Sequence, residues 1–160
     1  MKSWNNRATE IAFLLNPAFC GRIIYHSLTE YSKERGTDMP YPLVYLILPL
    51  VLHKKTRLNI TSRTQMQIWI QKYPELVINF PERARDLIGI TNEAIEFLLQ
   101  TNCIKINDKA ELESKNKTMS KTQFTDDEIQ DCIKKSEHVG RWFARAGTIE
   151  TIYSCWGVRP

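Results

Sequence analysis

Glycine is scarce in this chain, and its six residues stand apart at Gly21, Gly36, Gly89, Gly140, Gly147 and Gly157. None belongs to a G-x-x-x-x-G-K-[ST] run, the backbone cradle that P-loop nucleotide hydrolysis requires, so that chemistry is excluded. Histidine is scarcer still. His26, His53 and His138 lack the H-E-x-x-H or His-carboxylate spacing that puts two ligands on one helix face, and they read as surface or satisfied core residues. The four cysteines, Cys20, Cys103, Cys132 and Cys155, contain no C-x-x-C pair. In a reducing compartment such cysteines read as small core hydrophobes, with no metal, cofactor or disulfide framework expected.

Long apolar runs are missing as well. The longest, PLVYLILPLVL over residues 42–52, is interrupted by Pro49 and falls well short of the roughly 20 residues of a membrane span. It reads as a buried segment, with Pro49 expected to kink or end a helix. Met1, Lys2, Ser3, Trp4, Asn5, Asn6 and Arg7 provide no apolar leader, so the expected location is the cytoplasm, with no membrane partner. A one-sided charge is absent too: 22 Lys and Arg against 18 Asp and Glu leave +4, which permits a nucleic-acid surface without requiring one.

What is present is mostly helical patterning. Asn16-Pro17 is a start signal and Gly36 a stop, predicting a helix over 17–35, preceded by a shorter one over 8–15. Thr61 and Ser62 are candidate caps for a helix running through Trp69 to about Pro74. Further on, a short helix over 81–87, a break at Gly89 and a helix capped by Thr91 make a helix-turn-helix. Residues 103–106 and 110–113 alternate in polarity around Asn107-Asp108, which predicts a β-hairpin. Thr125-Asp126-Asp127-Glu128 matches a capping box, and a helix follows with Cys132, Val139, Gly140 and Phe143 on one stripe. Gly140 is expected to admit another backbone, Gly147 to stop the helix, and Thr148 to cap a last one through Tyr153.

The predicted fold is therefore mainly α with a small β-hairpin: a winged helix-turn-helix core with flanking N- and C-terminal helices. A single domain, 1–160, would comprise N-terminal helices (1–60), a winged-helix-like core (61–114), a basic flexible loop (115–124) and C-terminal helices with a tail (125–160).

Three functional features come from these residues. Lys54, Lys55, Arg57 and Arg63, with Lys115, Lys117 and Lys121 of the loop, are candidates for contact with a DNA backbone, a solvated basic face being the plain alternative. Sequence-specific groove reading is disfavoured, because the outward residues of the second helix, Asn92, Glu93, Glu96 and Gln100, include two carboxylates that would repel phosphates. Glu113-Ser114-Lys115 has the E-x-K form of some nucleases, but Asp108 lies in the turn of the same hairpin and the separate aspartate strand is missing. Arg141 and Arg145 share a helix face beside Trp142, an arginine-aromatic set suited to protein interfaces or to packing within the chain.

Several blocks together carry a family likeness: Asn16-Pro17-Ala18-Phe19, Leu48-Pro49-Leu50-Val51-Leu52-His53-Lys54, Thr61-Ser62-Arg63-Thr64, Phe80-Pro81-Glu82-Arg83-Ala84, G-R-W-F-A-R-A-G over 140–147 and W-G-V-R-P over 156–160. The chain resembles the middle component of bacterial three-component ABC systems, which include Lamassu-type anti-phage defence. The resemblance implies two partners, an SMC-like or Rad50-like ABC ATPase and an effector, commonly a nuclease, in one complex responding to invading DNA. It carries no active-site residues, so a non-catalytic bridging subunit is expected, with DNA contacted indirectly or without sequence choice. Arg141, Trp142, Arg145, Trp156 and Arg159 are the expected interface residues. A free-standing winged-helix DNA-binding regulator is the alternative.

Overall fold

Asn16 opens the first helix as the sequence predicts: its side chain accepts from the Ala18 amide at 2.8 Å while Pro17 fills the first helical position. A computed structural model describes residues 15–115 and 125–159. In chain order the elements are helix α1 (Pro17–Arg35), strand β1 (Met39–Pro40), a 3-10 helix (Tyr41–Leu46), then helices α2 (Ile47–Val51), α3 (Lys54–Asn59), α4 (Met66–Lys72), α5 (Pro74–Val77), α6 (Phe80–Asp86) and α7 (Ile88–Gln100). Strands β2 (Ile104–Ile106) and β3 (Glu111–Ser114) follow, then helices α8 (Asp127–Arg145) and α9 (Ile149–Cys155). Among the described residues the fold is mainly helical with a small antiparallel sheet. Among the described residues, no helix is long and apolar enough to cross a membrane.

The long helices α1 and α8 form the central seam. Cys132, Ser136, Val139, Gly140 and Phe143 are buried along α8 at helical spacing, and Cys20, Ile23, Ile24, Ser27, Leu28 and Tyr31 along α1. Gly140 fixes how close they come: a Cβ there would lie 2.3 Å from the Ser27 carbonyl oxygen, so any side chain would force the two backbones apart. Burial pushes the Cys20 thiol up to about 12 and the Cys132 thiol up to about 11, as suits packed, uncharged sulfur. At the rim of the seam, Arg141 bonds Glu30 at 2.7 Å and Arg145 bonds Glu34 at 2.7 Å.

Beside the seam sits an aromatic cluster. Trp69 lies 5.5 Å from Trp142 and 5.8 Å from Trp156 between ring centres, and Phe80 is 4.8 Å from Trp156. Each indole N–H has a partner: Trp69 donates to the Asn59 carbonyl, Trp142 to the Thr64 carbonyl and Trp156 to the Met66 sulfur. Three large rings are thus buried without an orphan donor, the condition under which aromatic burial stabilises most.

Several local expectations shift. Pro49 does not end a helix: it is the third residue of α2, where its missing N–H would have had no partner within α2, and the change from 3-10 to α geometry comes earlier, at Ile47. Gly89 and Thr91 lie inside α7, which begins after Leu87; Thr91 is buried and its hydroxyl donates to the Leu87 carbonyl. Asp126, one residue past the expected Thr125, caps α8 by accepting from the Glu128 and Ile129 amides. Gln65, not Thr61 or Ser62, precedes α4. The hairpin forms as predicted, with Asn107 accepting from the Lys109 and Glu111 amides, but it gains a third strand: Met39 pairs with Leu112 and Pro40 with Glu111, giving the order β1-β3-β2. That pairing joins the expected N-terminal segment to the core. The predicted helix over 8–15 lies outside the described residues except for Leu15, and the basic loop 115–124 lies outside them between 116 and 124.

Candidate docking groove

The last turn of α9 sets up a surface concavity. Trp156 caps the helix, Gly157 takes the left-handed conformation at φ 68°, its amide reaches the Ser154 carbonyl at 3.1 Å, and the Val158 amide reaches the Tyr153 carbonyl at 3.0 Å. This is a Schellman ending, in which a residue without Cβ turns the chain back. The turn lays Gly157 against Pro81, so that Trp156 enters the core while Val158 and Arg159 run on along the surface.

The resulting groove encloses about 670 Å³. One wall is the 3-10 helix with Tyr41, Pro42, Tyr45 and Leu46; the opposite one is Pro81, Ala84 and Arg85 of α6 with Ile88 at the head of α7; Tyr153, Gly157, Val158 and Arg159 complete it. Pro81, Ala84 and Arg85 of α6 meet Ile88 across the Leu87 junction, and Ile88 remains 44% exposed.

The polar groups of the walls are largely committed inward. The Tyr45 hydroxyl donates to Asn92 at 2.7 Å and is hydrogen-bonded to Tyr41; burial and that bond push its pKa up to about 12. Tyr153 donates to the Pro42 carbonyl at 2.5 Å, and burial raises its pKa. Arg85 and Arg159 differ, since neither guanidinium has an ion-pair or hydrogen-bond partner among the described residues. The groove therefore offers an apolar lining, neutral phenols and two positive charges with no partner among the described residues.

The expected site residues divide accordingly. Arg159 lines the groove. Trp142 and Trp156, 4% and 0% exposed, are core residues, and their indoles are not available to another protein. Arg141 donates to Glu30 and to His138 Nδ1, while Arg145 is exposed and bound to Glu34. Arg57 leaves the DNA set for a physical reason: it is 3% exposed, with its guanidinium on Asp131, Glu128 and the Val51 carbonyl. Lys54, Lys55 and Arg63 are exposed, Lys115 is half-buried with its amine on Asn102, and Lys117 and Lys121 lie outside the described residues. Along α7, Asn92 is held by Tyr45 and Gln100 donates to Glu96. In the E-x-K stretch, Glu113 pairs with Lys105 at 2.9 Å. Among the described residues no three His, Cys, Asp or Glu side chains are grouped as metal ligands would be.

Sequence reasoning missed the groove because its walls come from segments far apart in the chain. Locally, Pro81, Ala84 and Arg85 carry helical spacing, but Ile88 opens the next helix, so no single face announced the groove. Arg57 also escaped, since its acidic partners are 71 and 74 residues away.

Comparison with curated proteins and with solved structures gives no match to either. The family comparison does: residues 4–160 match the model described as ABC-three component (ABC-3C) system Middle Component 3, and the chain belongs to that family.

Proposed function

We propose that this chain is a non-catalytic bridging subunit that links an SMC-like or Rad50-like ABC ATPase to an effector, a nuclease, in a bacterial anti-phage defence complex of the Lamassu type. Membership of the middle-component family supports partners within an ABC system. The groove between the 3-10 helix, α6–α7 and the tail is the observation that carries the reading, because it is a preformed apolar surface with no occupant from the described chain. In the resting complex the subunit holds the effector inactive, and engagement of DNA by the ATPase shifts the assembly to a state that releases it.

We read α6, α7 and the β2–β3 hairpin, with β1 added at the edge of β3, as a winged-helix-like core that serves protein contacts. The engagement of Asn92 by Tyr45 and of Gln100 by Glu96 supports this over base reading, since side chains held in internal bonds make poor readers of base edges. Lys54, Lys55 and Arg63 remain available for phosphate contact without sequence choice.

Co-expression of the three components of one system tests the bridge. The ATPase and effector should co-purify only when this subunit is present, and effector activity should lose its dependence on DNA when it is removed. Association and control that persist without it would sink the reading.

A further inference from the structure

The groove has a charge pattern that specifies its occupant more closely than apolar shape alone. Its floor between Pro81, Ala84, Ile88 and Val158 is apolar, while Arg85 and Arg159 present guanidiniums with no carboxylate partner among the described residues. Three of the arginines that the fold uses to join helices behave differently. Arg57, Arg141 and Arg145 each sit on a glutamate or aspartate of the same chain. A guanidinium fork is best satisfied by a carboxylate, which it can grip through two parallel hydrogen bonds. The tyrosine hydroxyls beside them are spent on Asn92 and the Pro42 carbonyl, so these two arginines are what the groove has left for recognition.

We propose that the groove binds an apolar segment of another subunit of the same three-component system, a segment whose anchoring side chains are flanked by Asp or Glu. The apolar anchors cover Ile88 and Val158, and the flanking carboxylates pair with Arg85 and Arg159. This rests on the bridging reading above and names the chemistry of one of its two contacts. The Schellman turn at Gly157 is part of the site, because it places Arg159 on the groove and Trp156 in the core with one change of direction.

The probe is a set of overlapping peptides of about fifteen residues tiled across the other two components, titrated against the full-length chain by fluorescence anisotropy. A peptide with apolar residues next to Asp or Glu should bind, and the R85E/R159E double variant should bind it about tenfold more weakly or worse. Replacing the peptide's carboxylates with lysine should weaken binding to the native chain and restore it to the double variant. Circular dichroism of R85E/R159E should be native-like, since both arginines lie at the surface. Three results would overturn the proposal: no peptide binds, binding ignores the charge reversals, or the groove arginines instead control a concentration-dependent association of two copies of this chain. Co-purification of the three components, run in parallel, separates this from the bridging reading. If the complex assembles equally well with R85E/R159E, the groove assignment fails and the bridge stands; if no complex assembles with the native subunit, the bridge itself fails.

Discussion

The α1–α8 seam and the groove are both apolar surfaces edged by arginines, and they differ in what the arginines meet. At the seam Arg141 and Arg145 find Glu30 and Glu34 on the opposite helix, and the interior is so close that only Gly140 fits beneath Ser27. At the groove Ile88 is 44% exposed, and Arg85 and Arg159 meet no acid of the described chain. The first is a finished interface within one molecule. The second has similar ingredients and no acid from the described chain, and the docking proposal rests on that contrast.

If the seam and its neighbouring ring cluster are finished, cutting into them should be costly. Trp156→Ala, which empties a site between Trp69 and Phe80, should lower the unfolding free energy by about 4 kcal/mol in guanidinium titrations. Gly140→Ala should cost about 2–3 kcal/mol by the same measurement, because the obstacle is backbone and cannot rotate away. Arg57→Met should cost about 2 kcal/mol; this is less than for a fully buried pair, because Glu128 and Asp131 keep part of their exposure and can rehydrate.

Acidity sharpens the contrast further. Burial, then the charges of Arg141 and Lys135, hold His138 below its usual value of 6.5, and burial with Arg83, Lys55 and Arg57 does the same for His53. The unfolded chain then takes up protons first, so stability should fall as pH drops through about 6.5, and His138→Gln should flatten that slope. Glu30 acts in a lower window: burial raises its pKa, but bonds to Lys33 and Arg141 outweigh it, so its contribution should be lost only below about 4.5. At the other extreme, R85E/R159E should change stability by less than about 0.5 kcal/mol, since neither side chain has a partner to lose among the described residues. A large loss there would place both arginines inside the fold's own framework and erase the contrast.

The sequence was most readable where structure is decided locally. Asn16-Pro17 and Gly36 bound α1 because a cap, a fixed φ and a left-handed stop act within a few residues. Asn107 marks the hairpin, Thr148 caps α9, and Gly140 reads as a contact glycine for similar reasons. What stayed hidden is what distant residues decide together. Trp142 and Trp156 read equally as interface or core by composition, and only the convergence of Trp69 and Phe80 settles them inside. The third strand was invisible in a two-residue stretch, Met39–Pro40, because its pairing depends on residues 111 and 112. In the basic cluster, side chains adjacent in sequence diverge: Lys54 and Lys55 face water while Arg57 turns inward to acids on another helix.

The strand order also dictates when the molecule can assemble. β1 has no strand to pair with until Leu112 has been synthesised, and the α1–α8 seam cannot close until Gly140 has followed. A growing chain therefore carries residues 42–52, among its most apolar, with α1 beside them but without the cover that α6, α7 and α8 later supply. Such late closure favours slow maturation and gives a chaperone a defined stretch to shield.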